Sequence, residues 1–517
     1  MFNYKKQDSR ATMKSFHVAV MVLIGLAVFY STEISASAAS FSVSKITPGS
    51  TPYISKVTLK VVNLKLVSGL QFTIQPKAGS KTKPVSATYT FSYLKSQGYV
   101  NQSKSEIIVP VFGLYQDYNN TVLLNTVSQL SNSAGGGGGG YTNDKVTIKI
   151  QTPPGDDYAY RHPTILKYPD TKNLSYSFIQ LKSWVYGNTP IILDTDSEVR
   201  WVGTAGVGTI SSILYDNAFY ISNGGSGLIR QEWDGRWSFV MDYYNDYNVS
   251  FTGHHNYDPG KKGVILEVDT DEWTECVNLE VDKNGKVLKM WNFADIIKTA
   301  LLEGGESLEA VEGFVRRYDD WFHNNAVTYN KRDDSIIASG REDFVICIDY
   351  ETQKIKWILG DTAKAWYQNF TALRKYALTL VGSSLAPIGH HAVSITSDGC
   401  LLLHDNGLGS FYQSPGGSSR NYSAARKYQI NPKKMTAKEI WKYDASQSVY
   451  SPICSSVYED APNNYLIDFA SVNWGQNVQL HGLDAKGKVA FIYRYDGCDW
   501  SYGWNAIPIH MENILFQ

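Results

Sequence analysis

Residues 279–291 read LEVDKNGKVLKMW, and this stretch decides the fold. An alternating apolar run is followed by an acidic residue, by the turn Lys283-Asn284-Gly285, and by a second strand that ends in Trp291. Asn-Gly between two alternating runs is a strong short-range signal for a β-hairpin. The pattern predicts two neighbouring antiparallel strands with an aromatic side chain at the end of the second.

The same arrangement recurs along the chain. Five further copies, the second of them weaker, span Ile191 to Trp201, Ile229 to Trp237, Ile346 to Trp357, Lys438 to Trp441 and Leu483 to Tyr493. Repeats at unequal intervals are typical of four-stranded propeller blades that carry insertions. Six copies predict a six-bladed β-propeller over residues 160–517.

The region before the repeats has its own β pattern. Short alternating strands such as Val57–Val61 and Lys145–Ile150 are separated by turn residues, which predicts a small β-sandwich over residues 40–155. Helical periodicity is best developed at Phe293–Leu302 and Leu308–Arg317. The fold class is therefore predicted to be all-β, a small N-terminal β-sandwich domain followed by a six-bladed β-propeller.

Residues 1–39 have the composition of a signal peptide. Basic residues precede an apolar run from Phe16 to Tyr30, and Ala36-Ser37-Ala38 offers a cleavage site. The apolar run of about fifteen residues is shorter than the roughly 20 that span a bilayer, so a retained membrane anchor is the weaker alternative. We expect export to the periplasm, the extracellular space or the cell surface.

Charge and cysteine content restrict the classes of partner. Lysine and arginine (48) nearly balance aspartate and glutamate (49), so no overall field would recruit nucleic acid or an anionic membrane. Any anion site must be local. The five cysteines include no C-x-x-C pair, which argues against a zinc knuckle or a redox dithiol, and Cys347 in an apolar run is expected to be a buried free thiol.

Histidines and an arginine recur near predicted strand ends. Loops at one end of a propeller channel converge, so residues far apart in sequence can meet there. Neutral imidazole is a nucleophile near pH 7, and arginine stabilises developing negative charge. The residues concerned are His255, His323, Arg341 and His391. Together they indicate transfer of an acyl, phosphoryl or sulfuryl group.

Each of these residues has a simpler interpretation. A single buried histidine is more often structural, and Arg341 could pair with Glu342 or Asp343. Adjacent strand residues face opposite sides, so one member of each pair, His254-His255 and His390-His391, is expected to face the channel. Three or four histidines could also hold zinc or copper, but no His-x-His or His-x-x-x-His spacing is present and Arg341 would repel a cation.

Several motifs, taken in order, resemble the bacterial arylsulfate sulfotransferases, which work without an activated-sulfate nucleotide. Residues 109–115 (VPVFGLY) and 117–121 (DYNNT) are similar to the signature of that family's N-terminal β-sandwich. The propeller motifs are Asp320-Trp321-Phe322-His323-x-Asn325, Asp334–Ile337, Lys356–Gly360, Gly389-x-His391 and Asp405–Gly407. The resemblance covers nearly all of the chain after the signal segment.

The resemblance implies a role for individual residues. The transiently sulfated histidine of the family falls on His391, with His390 as the fallback. The residues that would accompany it in the channel are His323, Asn325, Arg341 and, within an uncertain pair, His255. A threonine that follows Tyr-Ser-Pro in other members would fall near Cys454, which lacks its hydroxyl group. His390, Asn325 and Cys454 are thus expected to contact the substrate.

The implied activity moves a sulfuryl group from a phenolic sulfate ester to a phenolic acceptor by a ping-pong mechanism through sulfohistidine. The implied partners are small phenols and aryl sulfates, with no cofactor and no bound metal, and homodimers occur in the family. Two alternatives come from other classes: a quinoprotein-like dehydrogenase propeller, suggested by residues 349–357, and a non-catalytic secreted propeller that binds a partner.

Overall fold

The computed structural model describes residues 39–128, 144–155, 162–183, 189–496 and 503–517. The predicted signal peptide, apart from its last residue, and Cys498 lie outside these ranges. Cys276, Cys347, Cys400 and Cys454 are buried free thiols, which confirms the prediction for Cys347. Within the described ranges, helices that combine the length and apolarity needed to cross a bilayer are absent.

The N-terminal domain is a sandwich of two sheets. Its first sheet has the strand order β1-β2-β6-β5, and its second has the order β35-β4-β3-β7-β8. The strands are β1 (Ser40–Pro48), β2 (Ile54–Val62), β3 (Val67–Ile74), β4 (Val85–Thr90), β5 (Val100–Asn101), β6 (Glu106–Phe112), β7 (Asn119–Ser128), β8 (Lys145–Gln151) and β35 (Ile514–Phe516). Their inner faces share one apolar core that continues into the propeller, where Phe112 stacks on Trp233 at 4.8 Å.

Six further sheets form the blades of a propeller. From the channel outwards they are β34-β10-β11-β12, β13 to β16, β17 to β20, β21 to β24, β26-β27-β28-β29-β25 and β30-β31-β32-β33-β9. The strands of blades one to three are β10 (Phe178–Lys182), β11 (Ile191–Asp194), β12 (Val199–Val202), β13 (Ser212–Tyr215), β14 (Ala218–Ser222), β15 (Gly227–Gln231), β16 (Trp237–Asp242), β17 (Thr252–Pro259), β18 (Val264–Asp269), β19 (Val277–Val281), β20 (Val287–Asn292) and β34 (Asn505–Ile509).

The strands of blades four to six are β9 (Thr164–Lys167), β21 (Asn324–Asn330), β22 (Ser335–Gly340), β23 (Val345–Asp349), β24 (Ile355–Leu359), β25 (Thr379–Leu380), β26 (His391–Ile395), β27 (Leu401–Asp405), β28 (Ala424–Asn431), β29 (Thr436–Tyr443), β30 (Ser456–Glu459), β31 (Tyr465–Val472), β32 (Asn477–Leu483) and β33 (Val489–Asp496). The sandwich and the six blades confirm the predicted fold class. The repeated motif ends in the fourth strand of each blade, counted from the channel, as at Trp291 in β20 and Trp357 in β24.

The two ends of the propeller segment close the ring. Strand β9 pairs with the outer side of β33 in blade six, while β34, from the end of the chain, is the innermost strand of blade one. The chain then returns to the sandwich, where β35 pairs in parallel with β4. The C-terminal segment thus ties blade one to the second sandwich sheet.

The helices are short and lie in the connections. They are α1 (Phe91–Ser96), α2 (Tyr243–Tyr247), α3 (Phe293–Glu303), α4 (Leu308–Phe314), α5 (Ala365–Gln368) and α6 (Thr371–Arg374), with 3₁₀ turns at Leu64–Leu66, Thr171–Asn173 and Ala445–Gln447. Helices α3 and α4 confirm the two predicted helical stretches, although α4 ends three residues earlier. Both precede the innermost strand of blade four and pack with α5 and α6 against its core.

Candidate active site

Three histidine rings meet where the innermost strands begin. His255 is the fourth of the eight residues of β17, His323 directly precedes β21, and His391 is the first residue of β26. The ring of His255 is 4.9 Å from that of His323 and 6.2 Å from that of His391, and the last two rings are 6.1 Å apart. The propeller therefore brings together side chains from three blades.

The backbone is strained where these strands begin. His255 (φ 41°), His323 (φ 53°) and Cys454 (φ 58°) adopt the left-handed conformation, which non-glycine residues seldom do. Gly389 has φ 58°, and a β-carbon there would lie 2.5 Å from the carbonyl oxygen of Leu408, so only glycine fits. Such strain clusters at functional sites because the surrounding fold must enforce it.

A hydrogen bond to Asn406 fixes the tautomer of His391. The amide nitrogen of Asn406 donates to the carbonyl oxygens of Ser451 (2.5 Å) and Cys454 (3.0 Å), so its Oδ1 must face His391. Nδ1 of His391 lies 2.7 Å from that oxygen and must carry the proton. Nε2 is therefore left with its lone pair, which is the form that acts as a nucleophile.

The environment keeps His391 uncharged. Burial lowers the pKa of His391 well below its usual value, and the positive charges of His323 and Arg341 lower it further. His255 behaves similarly, because burial outweighs the charge of Glu275 and lowers its pKa to about 3. Two of the three imidazoles are thus neutral near pH 7.

His323 is the charged member of the group. Its Nδ1 lies 2.7 Å from Oε2 of Glu275 and 2.5 Å from Oδ2 of Asp320. Burial lowers the pKa of His323, but the charge of Glu275 and the hydrogen bonds to both carboxylates raise it to about 10. Because Nδ1 is held by the carboxylates, Nε2 is the nitrogen available to the channel.

Arg341 presents free hydrogen-bond donors to the same site. Its side chain is 2% exposed, and Nη1 pairs with Glu342, as the simpler interpretation predicts. Nε and Nη2, however, are buried and have no acceptor among the described residues. Buried donors are almost always satisfied, so these two are suited to an anion in the channel.

The remaining predicted residues occupy different positions. Nδ2 of Asn325 donates to the carbonyl oxygen of His390 (2.9 Å), so this amide holds the chain that carries His391. The His390 ring is fully buried, with Nδ1 2.7 Å from Oγ of Ser339. Cys454 is buried. Burial raises the pKa of its thiol, and the positive charge of Arg341 opposes this rise. The histidine of the Gly-x-His motif that joins the three-ring cluster is therefore His391.

The prediction that adjacent histidines face opposite sides is wrong for His254-His255. Their Nδ1 atoms are 3.1 Å apart, because β17 has an irregular register between Gly253 and Tyr257 that breaks the strand alternation. His254 points towards Glu267, at 4.0 Å. His255 meets the other rings and also contacts the ring of Trp504, at 5.5 Å.

Sequence reasoning gave no role to three residues that complete the site, namely Glu275, Asp320 and Asn406. Asp320 lies three residues before His323, and Asn406 belongs to a quoted motif, so both had a local signal. Glu275 comes from the β18–β19 connection of blade three, and no local sequence signal pointed to it. Phe411 also lies at the site, with its ring 4.5 Å from the guanidinium carbon of Arg341.

Substituting Glu275→Gln is expected to lower the pKa of His323, because only the carboxylate of Asp320 would then hold its Nδ1 proton. Burial would then lower the pKa of His323 from about 10 towards or below its ordinary value of about 6.5. Because the wild-type pKa is raised, this pair stabilises the fold fully below about pH 6.5 and less as the pH rises through 10. NMR of ¹³C-labelled histidine rings measures the pKa, and urea unfolding at several pH values measures the stability.

The matched control is Glu272→Gln, since Glu272 is a half-exposed carboxylate in the same connection, 3.8 Å from Arg317. It should leave the titration of His323 unchanged. An unchanged His323 pKa in the Glu275→Gln protein would contradict the assignment of Glu275 as the controlling charge.

The geometry allows two kinds of chemistry. A neutral nucleophile, a protonated imidazole and free guanidinium donors suit transfer of an anionic group. The ligand atoms of His255, His323 and His391 also lie within 4.8 Å of one another, so they could hold a metal ion. A metal would have to displace the proton of His323 and approach the charge of Arg341, which makes the anion the better match.

Comparisons with known proteins identify the family of the chain. Residues 163–496 match the model of the arylsulfotransferase (ASST) family, and residues 55–156 match the arylsulfotransferase Ig-like domain. The β-propeller domain of Cps50 (Swd1) from Myceliophteria thermophila aligns with a TM-score of 0.34 and 11% identity, over 65% of this chain and 87% of that domain. That likeness is too weak to carry an argument.

Two curated relatives are named arylsulfate sulfotransferase AssT. The protein from Escherichia coli O6:H1 (strain CFT073) is 29% identical over 37% of this chain and 38% of its own length. The protein from Lelliottia amnigena is 26% identical over 38% of this chain and 39% of its own length. The matches thus span well under half of these relatives. Because the two family models together cover most of the sequence, the chain belongs to the arylsulfotransferase family.

Proposed function

We propose that the protein transfers a sulfuryl group from an aryl sulfate to a phenol through a covalent intermediate on His391. One observation carries the proposal: Asn406 leaves the lone pair of His391 Nε2 free in a site where Arg341 has two unpaired donors. A nucleophile beside an anion-binding cation is what group transfer from a sulfate ester needs. Export of the protein, expected from residues 1–39, is part of the proposal.

In the first half-reaction, Nε2 of His391 attacks sulfur while the bond from sulfur to the aryl oxygen breaks. Arg341 holds the sulfuryl oxygens, so positioning and charge stabilisation provide most of the catalysis, as in phosphoryl transfer. The departing phenolate takes a proton from His323, whose pKa of about 10 is close to that of an ordinary phenol. The products are a neutral phenol and sulfohistidine.

The second half-reaction reverses these steps with another phenol. His323, now neutral, removes the proton of the acceptor hydroxyl, and the phenolate oxygen attacks the sulfur of sulfohistidine. The nitrogen–sulfur bond breaks and its electron pair returns to His391. The same groups serve both directions, so donor and acceptor occupy one site in turn.

Steady-state kinetics with 4-nitrophenyl sulfate as donor and phenol as acceptor test this mechanism. A covalent intermediate predicts parallel double-reciprocal plots, and mass spectrometry of the protein mixed with donor alone should show one added sulfuryl group on His391. Release of 4-nitrophenol should rise strongly with acceptor. Release that is independent of acceptor would indicate a sulfatase, and no release would favour a binding propeller.

The cluster of His255, His323 and His391 supports a second candidate, a site that binds a divalent metal. Protein treated with a chelator and then dialysed distinguishes the two. We expect full transferase activity after this treatment. Loss of activity that Zn²⁺ or Cu²⁺ restores would replace the sulfohistidine proposal with a metal-dependent one.

A further inference from the structure

The far mouth of the propeller channel holds a second cavity. It has a volume of about 510 Å³ and is lined by residues of all six innermost strands, among them the last residues of β17, β26 and β34. Its wall is largely apolar, and its side chains include Ile213, Leu214, Pro259, Val393, Ile395 and Ile507. This volume lies within the usual range for sites that bind small molecules, which are mostly apolar with a few placed polar groups.

Polar groups from blades three and six lie at the floor of this cavity. The carboxylate of Asp258 accepts hydrogen bonds from Nδ2 of Asn256 (2.9 and 3.0 Å) and from the backbone N–H of Val327 (3.3 Å). The hydroxyl oxygen of Tyr458 accepts from Nδ2 of Asn505 (3.0 Å). Because the oxygen is the acceptor in this hydrogen bond, the hydroxyl group of Tyr458 can still donate its proton to another hydrogen bond.

The charge of the floor is largely balanced. The ammonium of Lys182 is fully buried and binds Oδ1 of Asn256, which links it to Asp258. Burial raises the pKa of Asp258 to about 6, and the charge of Lys182 opposes this rise. A neutral hydroxyl group can donate a hydrogen bond to Asp258 and accept one from Tyr458 without adding a buried charge.

The cavity is separate from the histidine cluster. Ile395, on the wall of the cavity, is four residues beyond His391 in β26, which corresponds to roughly 13 Å along the strand. Between the two ends, Asn256, Tyr458 and Asn505 form hydrogen bonds across the channel. A molecule in the far cavity therefore contacts none of the three clustered imidazoles.

We propose that this far-mouth cavity is a second small-molecule site, which binds a neutral alcohol with an aromatic body of about the size of phenol. The ring lies against the apolar wall, and the hydroxyl group bonds to Asp258 and Tyr458. The site does not depend on the proposed transfer reaction, because it uses other residues at the opposite end of the channel.

Binding of 4-fluorophenol, followed by ¹⁹F NMR, tests the proposal. The partly exposed residues Ser394 and Thr328 line the cavity from different blades, and Ser394→Phe or Thr328→Phe would fill it. Each variant is expected to bind one molecule fewer than the wild type. 4-Fluorotoluene, which lacks the hydroxyl group, should bind the wild type at least tenfold more weakly, a difference of about 1.4 kcal/mol.

The control is Thr379→Phe, which adds the same ring at an exposed position on the outer strand of blade five. Binding at the histidine end would survive both cavity-filling variants, so the number of sites lost reports on the far mouth alone. The proposal is overturned if the wild type does not bind 4-fluorophenol, or if both filled variants bind it with the stoichiometry and affinity of the Thr379→Phe protein.

Discussion

Replacing His391 with alanine is expected to abolish sulfuryl transfer, with a loss of about 10⁴-fold or more in kcat/KM for 4-nitrophenyl sulfate. The substitution removes the atom that would bond to sulfur, and the protonated ring of His323 has no lone pair to replace it. Nδ1 of His323 is held by Glu275 and Asp320, and Nδ1 of His255 faces His254 and Glu275. The rate of 4-nitrophenol release in the presence of phenol measures the loss.

His390→Ala is the matched control, because it removes an adjacent buried imidazole whose ring is turned towards Ser339. It should lower the stability but retain most of the kcat/KM of the folded protein. Added imidazole should restore part of the activity to His391→Gly, since a free imidazole can occupy the space left by the ring. If His390→Ala abolishes transfer and His391→Ala does not, the nucleophile is His390 instead.

The local signals of the sequence were sufficient for the repeating unit of the fold. The Lys283-Asn284-Gly285 turn joins β19 to β20 as predicted, because the turn residues and the flanking alternation belong to one short segment. The closure of the ring was not predicted. It depends on β9 pairing with β33 and on β34 pairing with β10, contacts between strands more than 300 residues apart that have no local pattern.

In the candidate site, too, some features have a local sequence signal and others depend on contacts between distant residues. His323, Arg341 and His391 were identified from motifs, and the structure places them at one end of the channel. Their chemical differences were not predictable, because the tautomer of His391 depends on Asn406 and the charge of His323 depends on Glu275, and no local motif linked either pair. Imidazole rings of the same type thus differ in tautomer and in charge according to neighbours that only the tertiary fold supplies.

The second large effect is expected for Arg341→Lys, which should lower kcat/KM for the aryl sulfate by roughly 10²- to 10³-fold. Lysine retains the positive charge that offsets Glu342 but loses the planar donors Nε–H and Nη2–H, which have no partner in the described protein. These donors hold the sulfuryl oxygens in line for attack and stabilise the charge spread over them in the transition state, so we expect most of the loss in kcat.

Arg200→Lys provides the control for burial alone, since Arg200 is 1% exposed and pairs with Asp194 at 3.0 Å in blade one. Both variants should unfold at lower urea concentrations, but only Arg341→Lys should lose activity per folded molecule. Arg341→Met would leave the Glu342 carboxylate buried without its cation, which lowers the free energy of unfolding by about 3–5 kcal/mol. The hydrogen bonds that Glu342 accepts from the backbone N–H groups of Phe411 and Tyr412 reduce this loss. Wild-type kcat/KM in the Arg341→Lys protein would show that the free donors do not bind the transferred group, and that Arg341 serves only to neutralise Glu342.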